Sequence, residues 1–132
     1  MSHDLLPFGE AQALPRRGIT EDTCQKYGYT IGEYYGEPVQ IATYRDKTGK
    51  PVAQKLRFKN KQFKFIGDTK NAGLFGQHLW SNRNGKMLII TEGEIDALTM
   101  SQIQGNRFPV VSVPTGAAGA RKAIANELEY VE

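Results

Sequence analysis

The spacing of apolar residues changes character twice along the chain, near residue 39 and again near residue 86. Residues 1–18 show no period and are interrupted by Pro7, Gly9, Pro15 and Gly18. Thr20 then stands where an N-cap belongs, Glu21 and Asp22 put negative charge in a first helical turn, and Gly28 ends the helix. A helix of about two turns needs packing from elsewhere to persist. From Val39 the period is two: Val39, Ile41 and Thr43 alternate with Gln40, Ala42 and Tyr44. Asp46, Lys47, Thr48 and Gly49 read as a turn and residues 51–58 as a return strand, which together predict an antiparallel hairpin. On the return strand Val52, Gln54, Leu56 and Phe58 share one face, and Lys55, Arg57 and Lys59 share the other. Residues 63–66 predict a third short strand, and residues 74–80 a short helix.

After Lys86 the pattern is that of an α/β sheet. Residues 87–91 form a continuous apolar run, as in a strand covered on both faces. Residues 94–104 carry Ile95, Leu98 and Ile103 at helical spacing and end at Gly105. Residues 109–113 read as a second buried strand, residues 114–119 as a loop of small residues, and residues 121–130 as another helix. Strand, helix, strand, helix with short connections implies a parallel βαβ unit with a right-handed crossover. The expected class is α+β: a small mixed lobe over residues 1–80, then the beginning of a parallel sheet over residues 81–132.

Charge changes this picture more than composition does. The 132 residues carry a formal net charge of only +3, but residues 45–70 hold nine basic groups against two acidic ones, a net of +7. The segments on either side are slightly acidic. A basic block of this kind is the sequence trace of a phosphate-binding surface. Lys55, Arg57, Lys59 and Lys61 fall at every second residue, so an extended strand would aim all four one way; the alternative is a solvated strand face. Cys24 is the single cysteine, which excludes an internal disulfide and a zinc cluster and makes a reducing, cytoplasmic setting the default. No apolar run approaches the roughly 20 residues that cross a bilayer, so no membrane partner is expected.

The acidic counterpart is the segment Thr91, Glu92, Gly93, Glu94, Ile95, Asp96. It follows a buried strand and opens a helix, and ligands of open α/β sheets collect at the carboxyl ends of strands, where Glu92 falls. Gly93 would let the backbone turn sharply beside a ligand. Three carboxylates within five residues repel one another unless cations sit nearby, and Mg²⁺ uses one or two carboxylates together with substrate phosphates. Glu94 and Asp96 have a second reading as favourable first-turn charges on a helix. Arg121 and Lys122, at a helix start after the small-residue loop, are a further phosphate contact. His78 and Trp80 read as packing residues, whereas Tyr34, Tyr35 and Tyr44 fit either base stacking or sheet packing.

A hydrophobic strand running into Glu92, Gly93 and Asp96, then a helix, then a strand ending in Ser112-Val113-Pro114-Thr115-Gly116, resembles the first half of a TOPRIM domain, a Rossmann-like parallel α/β fold. That family includes primases, topoisomerases and recombination-associated nucleases. Phe8-Gly9-Glu10, Gly18-Ile19-Thr20, Tyr44-Arg45-Asp46, Gln54-Lys55-Leu56-Arg57 and Leu74-Phe75-Gly76-Gln77-His78-Leu79-Trp80 are similar to the primase part of bacteriophage T7-like primase–helicases. Mitochondrial replicative helicases are more distant members of that lineage. The resemblance implies that Glu92 belongs to an acidic site acting with Mg²⁺ or Mn²⁺, with Glu94 and Asp96 as candidate further ligands. It also implies that Lys55 and Lys61 handle nucleotide during primer synthesis.

The resemblance further implies a single-stranded DNA template, and Arg57, Lys59, Lys64, Arg121 and Lys122 are the candidate contacts of this chain to nucleic acid or nucleotide. Ribonucleoside triphosphates would be the substrates, a helicase domain would lie in the same longer chain, and the location would be cytoplasmic, the host's if phage-encoded. Several of that family's features are missing: the later Asp-x-Asp strand, the zinc module that reads the template and the Gly-rich loop of the helicase. The expectation is therefore a piece of a primase that makes no primer alone. Rival readings are a fragment of a TOPRIM nuclease or topoisomerase, and a non-catalytic module that binds single-stranded DNA.

Overall fold

The computed structural model describes residues 5–7, 9–80, 87–105, 107–114 and 122–131. Phe8, Arg121 and residues 115–120 of the small-residue loop lie outside the described residues. The chain divides into two compact units, Met1–Ala72 and Gly73–Glu132.

The first unit is an antiparallel meander. Helix α1 (Glu21–Tyr27) leads into strands β1 (Tyr29–Tyr34), β2 (Glu37–Arg45), β3 (Pro51–Arg57) and β4 (Phe63–Gly67), which pair in that order. The start and stop of α1 are those expected: the Thr23 N–H donates to Thr20 Oγ1 at 3.3 Å, and Gly28 closes the helix at φ 69°. Its short length is compensated by tertiary packing, since it lies against β1 and buries Cys24 and Tyr27. Strand β1 is absent from the sequence reading because Tyr29 to Tyr34 contain a glycine and no clean alternation. Strand β2 is buried on both sides, through Val39, Ile41 and Thr43 on one face and Ala42 and Tyr44 on the other.

One face of the sheet packs Val39, Ile41 and Leu56 with Leu6, Tyr34, Phe58 and Ile66. The irregular N-terminal segment covers it. Gln54, fully buried in the middle of β3, accepts from the Leu6 N–H (2.8 Å) and donates to the Leu6 carbonyl (3.0 Å). Glu10 pairs with Ile31 of β1, an approach so close that a Cβ on Gly9 would strike the Ile31 carbonyl.

In the second unit β5 (Ile89–Thr91) and β6 (Val110–Ser112) pair in parallel, with helix α2 (Glu94–Ile103) between them. The Gln104 amide ties the end of α2 to β6, accepting from the Phe108 N–H (2.6 Å) and donating to its carbonyl (2.7 Å). The C-terminal helix is broken at Glu127 into α3 (residues 122–126) and α4 (Leu128–Val131).

The expected helix over residues 74–80 is instead an isolated bridge, Phe75 exchanging both backbone hydrogen bonds with Ser112, followed by a 3-10 turn, Gln77–Trp80. Leu74 joins Val111 and Val113 in a cluster packed by Trp80, Leu88, Ile90, Ile124 and Tyr130. That packing ties the segment to the parallel sheet, so the division between compact units falls before residue 73 rather than at the expected residue 80.

Candidate functional site

The basic residues are distributed by the ends of β3 and β4. The register Lys55↔Phe65 and Arg57↔Phe63 puts Lys55 and Arg57 on one face of the sheet beside two phenylalanines. The Lys55 ammonium lies 4.6 Å from the Phe63 ring centroid and 5.6 Å from that of Phe65, and Arg57 is exposed. Lys64 projects from the opposite face and donates to the Tyr34 hydroxyl at 3.0 Å, a bond that raises its pKa above the ordinary lysine value.

The expected single row of Lys55, Arg57, Lys59 and Lys61 does not form, because β3 ends at Arg57. Residues 58–62 are a tight loop in which the Phe58 N–H bonds the Gln62 carbonyl (2.9 Å) and the Lys61 N–H bonds the Phe58 carbonyl (3.1 Å). Asn60 Oδ1 accepts from the Gln62 N–H at 3.1 Å. Lys59 and Lys61 therefore ride on a loop tip, both exposed, and Lys61 is held in the left-handed backbone region at φ 70°. Lysine carries a Cβ penalty there of about 1–2 kcal/mol. A strained non-glycine residue at an exposed tip points to a role other than stability.

In the second unit Glu92 is exposed at the carboxyl end of β5, as expected. Thr91 Oγ1 donates to the Gly93 carbonyl (3.0 Å) and spans to the Val111 carbonyl (3.3 Å), tying the start of α2 to both strands. Gly93 caps α2 with an ordinary extended backbone (φ −133°), so the expected sharp turn is absent. The space is there nonetheless: the nearest group a Cβ would meet is the Asp96 carboxylate at 3.6 Å. The expected trio of Glu92, Glu94 and Asp96 separates. Glu94 is buried, while Glu92 and Asp96 are exposed. Helical geometry is the reason, since Glu94 shares the inward face with Ile95 and Leu98. Among the described residues no three His, Cys, Asp or Glu side chains gather closely enough to hold a metal ion. Lys122 is exposed at the start of α3.

Sequence reasoning missed Phe63, because strand alternation alone does not say that its side of β4 stays uncovered. It also missed Gln54 as the anchor of the N-terminal segment.

Residues 9–67 match the family described as "Bacteriophage T7 DNA helicase/primase, N-terminal a+b fold". The whole chain is 44% identical to a DNA helicase/primase of Enterobacteria phage T3, of which it spans 24%. The primase fragment of the bacteriophage T7 primase–helicase superposes with a TM-score of 0.89 at 44% identity, over 99% of this chain and 55% of that one. The Escherichia coli primase catalytic core shares the fold at a TM-score of 0.57 and 12% identity, over 85% of this chain and 50% of that one. The nuclease and topoisomerase reading of the acidic motif finds no support among these relatives. Sequence and fold together show that the chain belongs to the bacteriophage T7-like primase–helicase family, within its primase part.

Proposed function

We propose that the chain is the nucleotide- and template-handling part of a DNA primase, which joins ribonucleotides into short primers on single-stranded DNA. The longer protein would carry a helicase as well. The observation that carries the reading is Lys61, fixed in a left-handed backbone at an exposed loop tip, in the segment that matches the primase family. Lys55 and Lys61 neutralise triphosphate charge, and Arg57, Lys59 and Lys64 hold template phosphates. Lys122 extends the basic set in the second unit, with Arg121 assigned to the same role from its place in the sequence.

Glu92 is the carboxylate of this chain assigned to the acidic site. A divalent cation, Mg²⁺ or Mn²⁺, would neutralise phosphate charge and polarise the reacting phosphoryl group in the complete site. Glu94, the other candidate ligand on the helix, is buried, and among the described residues no three His, Cys, Asp or Glu side chains gather closely enough to hold a metal ion. The chain by itself is expected to bind nucleic acid. No helix among the described residues is long and apolar enough to cross a membrane.

The test is primer synthesis by the longer protein on a single-stranded template with labelled ribonucleotides. Glu92→Gln is expected to abolish the product; full synthesis by that variant would remove Glu92 from the site and the primase reading with it.

A further inference from the structure

The two turns at one end of the antiparallel sheet share an oddity. Among the described residues the only non-glycine positions with positive φ are Tyr35 (φ 50°) and Lys61 (φ 70°). Tyr35 lies in the two-residue turn joining β1 to β2, and Lys61 in the loop joining β3 to β4. In a four-stranded meander these two connections fall at the same end. Side chains confirm the proximity. The Tyr34 ring lies 6.0 Å from that of Phe58, which opens the second loop, and its hydroxyl accepts from Lys64.

Tyr35 breaks two local rules. A two-residue hairpin turn of this kind takes Asn, Asp or Gly at its first position, because the left-handed backbone penalises a bulky side chain. The Tyr35 ring is also 94% exposed, the most exposed large apolar group described. It contributes nothing to the core and stands edge-on to Tyr34, 4.6 Å between centroids, with the Lys64 ammonium 5.2 Å from the Tyr34 ring. A tyrosine ring standing in solvent, braced by a second ring that Lys64 touches and carried at the same end of the sheet as the loop with Lys59 and Lys61, has the chemistry of a base-stacking platform near phosphate contacts.

We propose that this end of the sheet is a binding site for single-stranded nucleic acid, in which Tyr35 stacks a nucleobase and Lys64, held by Tyr34, meets the neighbouring phosphate. The site lies on the opposite face from Lys55 and Arg57, so it lengthens the path of the strand around the sheet end. It rests on the reading that the basic unit handles nucleic acid, and adds a contact that the basic residues alone do not supply.

The test is fluorescence anisotropy of a labelled oligothymidylate, and of the same strand with abasic sugars, titrated with the chain and its variants across salt concentration. Asparagine is at home at positive φ, so Tyr35→Asn keeps or raises the melting temperature. It is expected to weaken oligothymidylate binding about tenfold with the salt slope unchanged. Tyr35→Trp retains affinity, and its fluorescence is quenched by the oligonucleotide. Lys64→Ala lowers the slope of log K against log salt by about 1. The abasic strand binds the wild-type chain as weakly as the normal strand binds Tyr35→Asn. Wild-type affinity in Tyr35→Asn, with Arg57→Ala still weakened, would overturn the stacking site and leave the nucleic-acid reading standing. If the wild-type chain ignores the oligonucleotide at low salt, both fall together.

Discussion

The loops at the two ends of β3, residues 46–50 and residues 58–62, are built on one hydrogen-bond frame. In the first, the Asp46 N–H bonds the Lys50 carbonyl and the Gly49 N–H bonds the Asp46 carbonyl; in the second, Phe58, Gln62 and Lys61 repeat both bonds. The left-handed position holds Gly49 (φ 87°) in one and Lys61 (φ 70°) in the other. The leading position holds Asp46, whose carboxylate accepts from the Thr48 N–H, the Thr48 hydroxyl and the Lys50 N–H. The other loop has Phe58 there, facing the core. One loop thus uses the residues that its geometry favours. The other accepts strain at Lys61 and presents two exposed lysines at the end of the sheet that also carries Tyr35. Equal backbones with unequal side chains separate an end of the sheet built for folding from the end proposed above as the binding site.

The sharpest way to break the comparison is to make the second loop like the first. Lys61→Gly keeps the loop frame and removes the ammonium. It should leave the melting temperature equal or higher, because relief of about 1 kcal/mol of strain offsets the entropy that glycine adds to the unfolded chain. Primer synthesis by the longer protein should fall about a hundredfold or more, the scale for losing one group that neutralises transition-state charge. A variant as active as wild type would make Lys61 an accident of sequence.

The reverse exchange is smaller in effect. Gly49→Lys places a Cβ at φ 87° and should destabilise the chain by about 1–2 kcal/mol, read as a lower thermal midpoint. Oligonucleotide affinity should stay within twofold of wild type, since none of the exposed large apolar groups described belongs to that loop. Tighter binding would show that any lysine on this frame recruits phosphate.

The smallest difference is a matter of pH. The Thr48 hydroxyl, then the backbone N–H groups of Lys50 and Thr48, hold the Asp46 carboxyl below its ordinary pKa. A carboxyl lowered on folding adds stability that is present above the ordinary carboxylate pKa and is lost as pH falls through the lowered value. Amide exchange of Thr48 and Lys50 should therefore speed up, beyond the intrinsic rate, as pH drops below about 4. Gln62, whose amide is held by the Asn60 side chain, should show no such change. Equal responses in the two loops would mean that Asp46 does not hold its turn.

Much of this contrast is visible in the chain. Asp46 with Gly49 announces a turn from residues alone, and so do Thr20 and Gly28 at the ends of α1, because each acts through its own neighbours. Glu92 is legible for the same reason, being placed by an apolar run before it and a helix after it. Lys59 and Lys61 read as strand residues in the sequence because alternation continues in the letters after β3 stops. Only the backbone bonds of Phe58 and Gln62 reveal the loop.

By itself the sequence determined what depends on nearest neighbours: the helix caps, the basic block, the two halves of differing period and the strand end that presents Glu92. The tertiary structure decided what depends on residues far apart in the chain. It turned Glu94 inward, drew residues 74–80 onto the parallel sheet through Phe75 and Ser112, and clamped Leu6 with Gln54. It also gathered Tyr35 and Lys61 at one end, although 25 residues separate them in sequence. Short-range preferences are written into each segment. Long-range pairing, which follows from how faces bury against one another, is not.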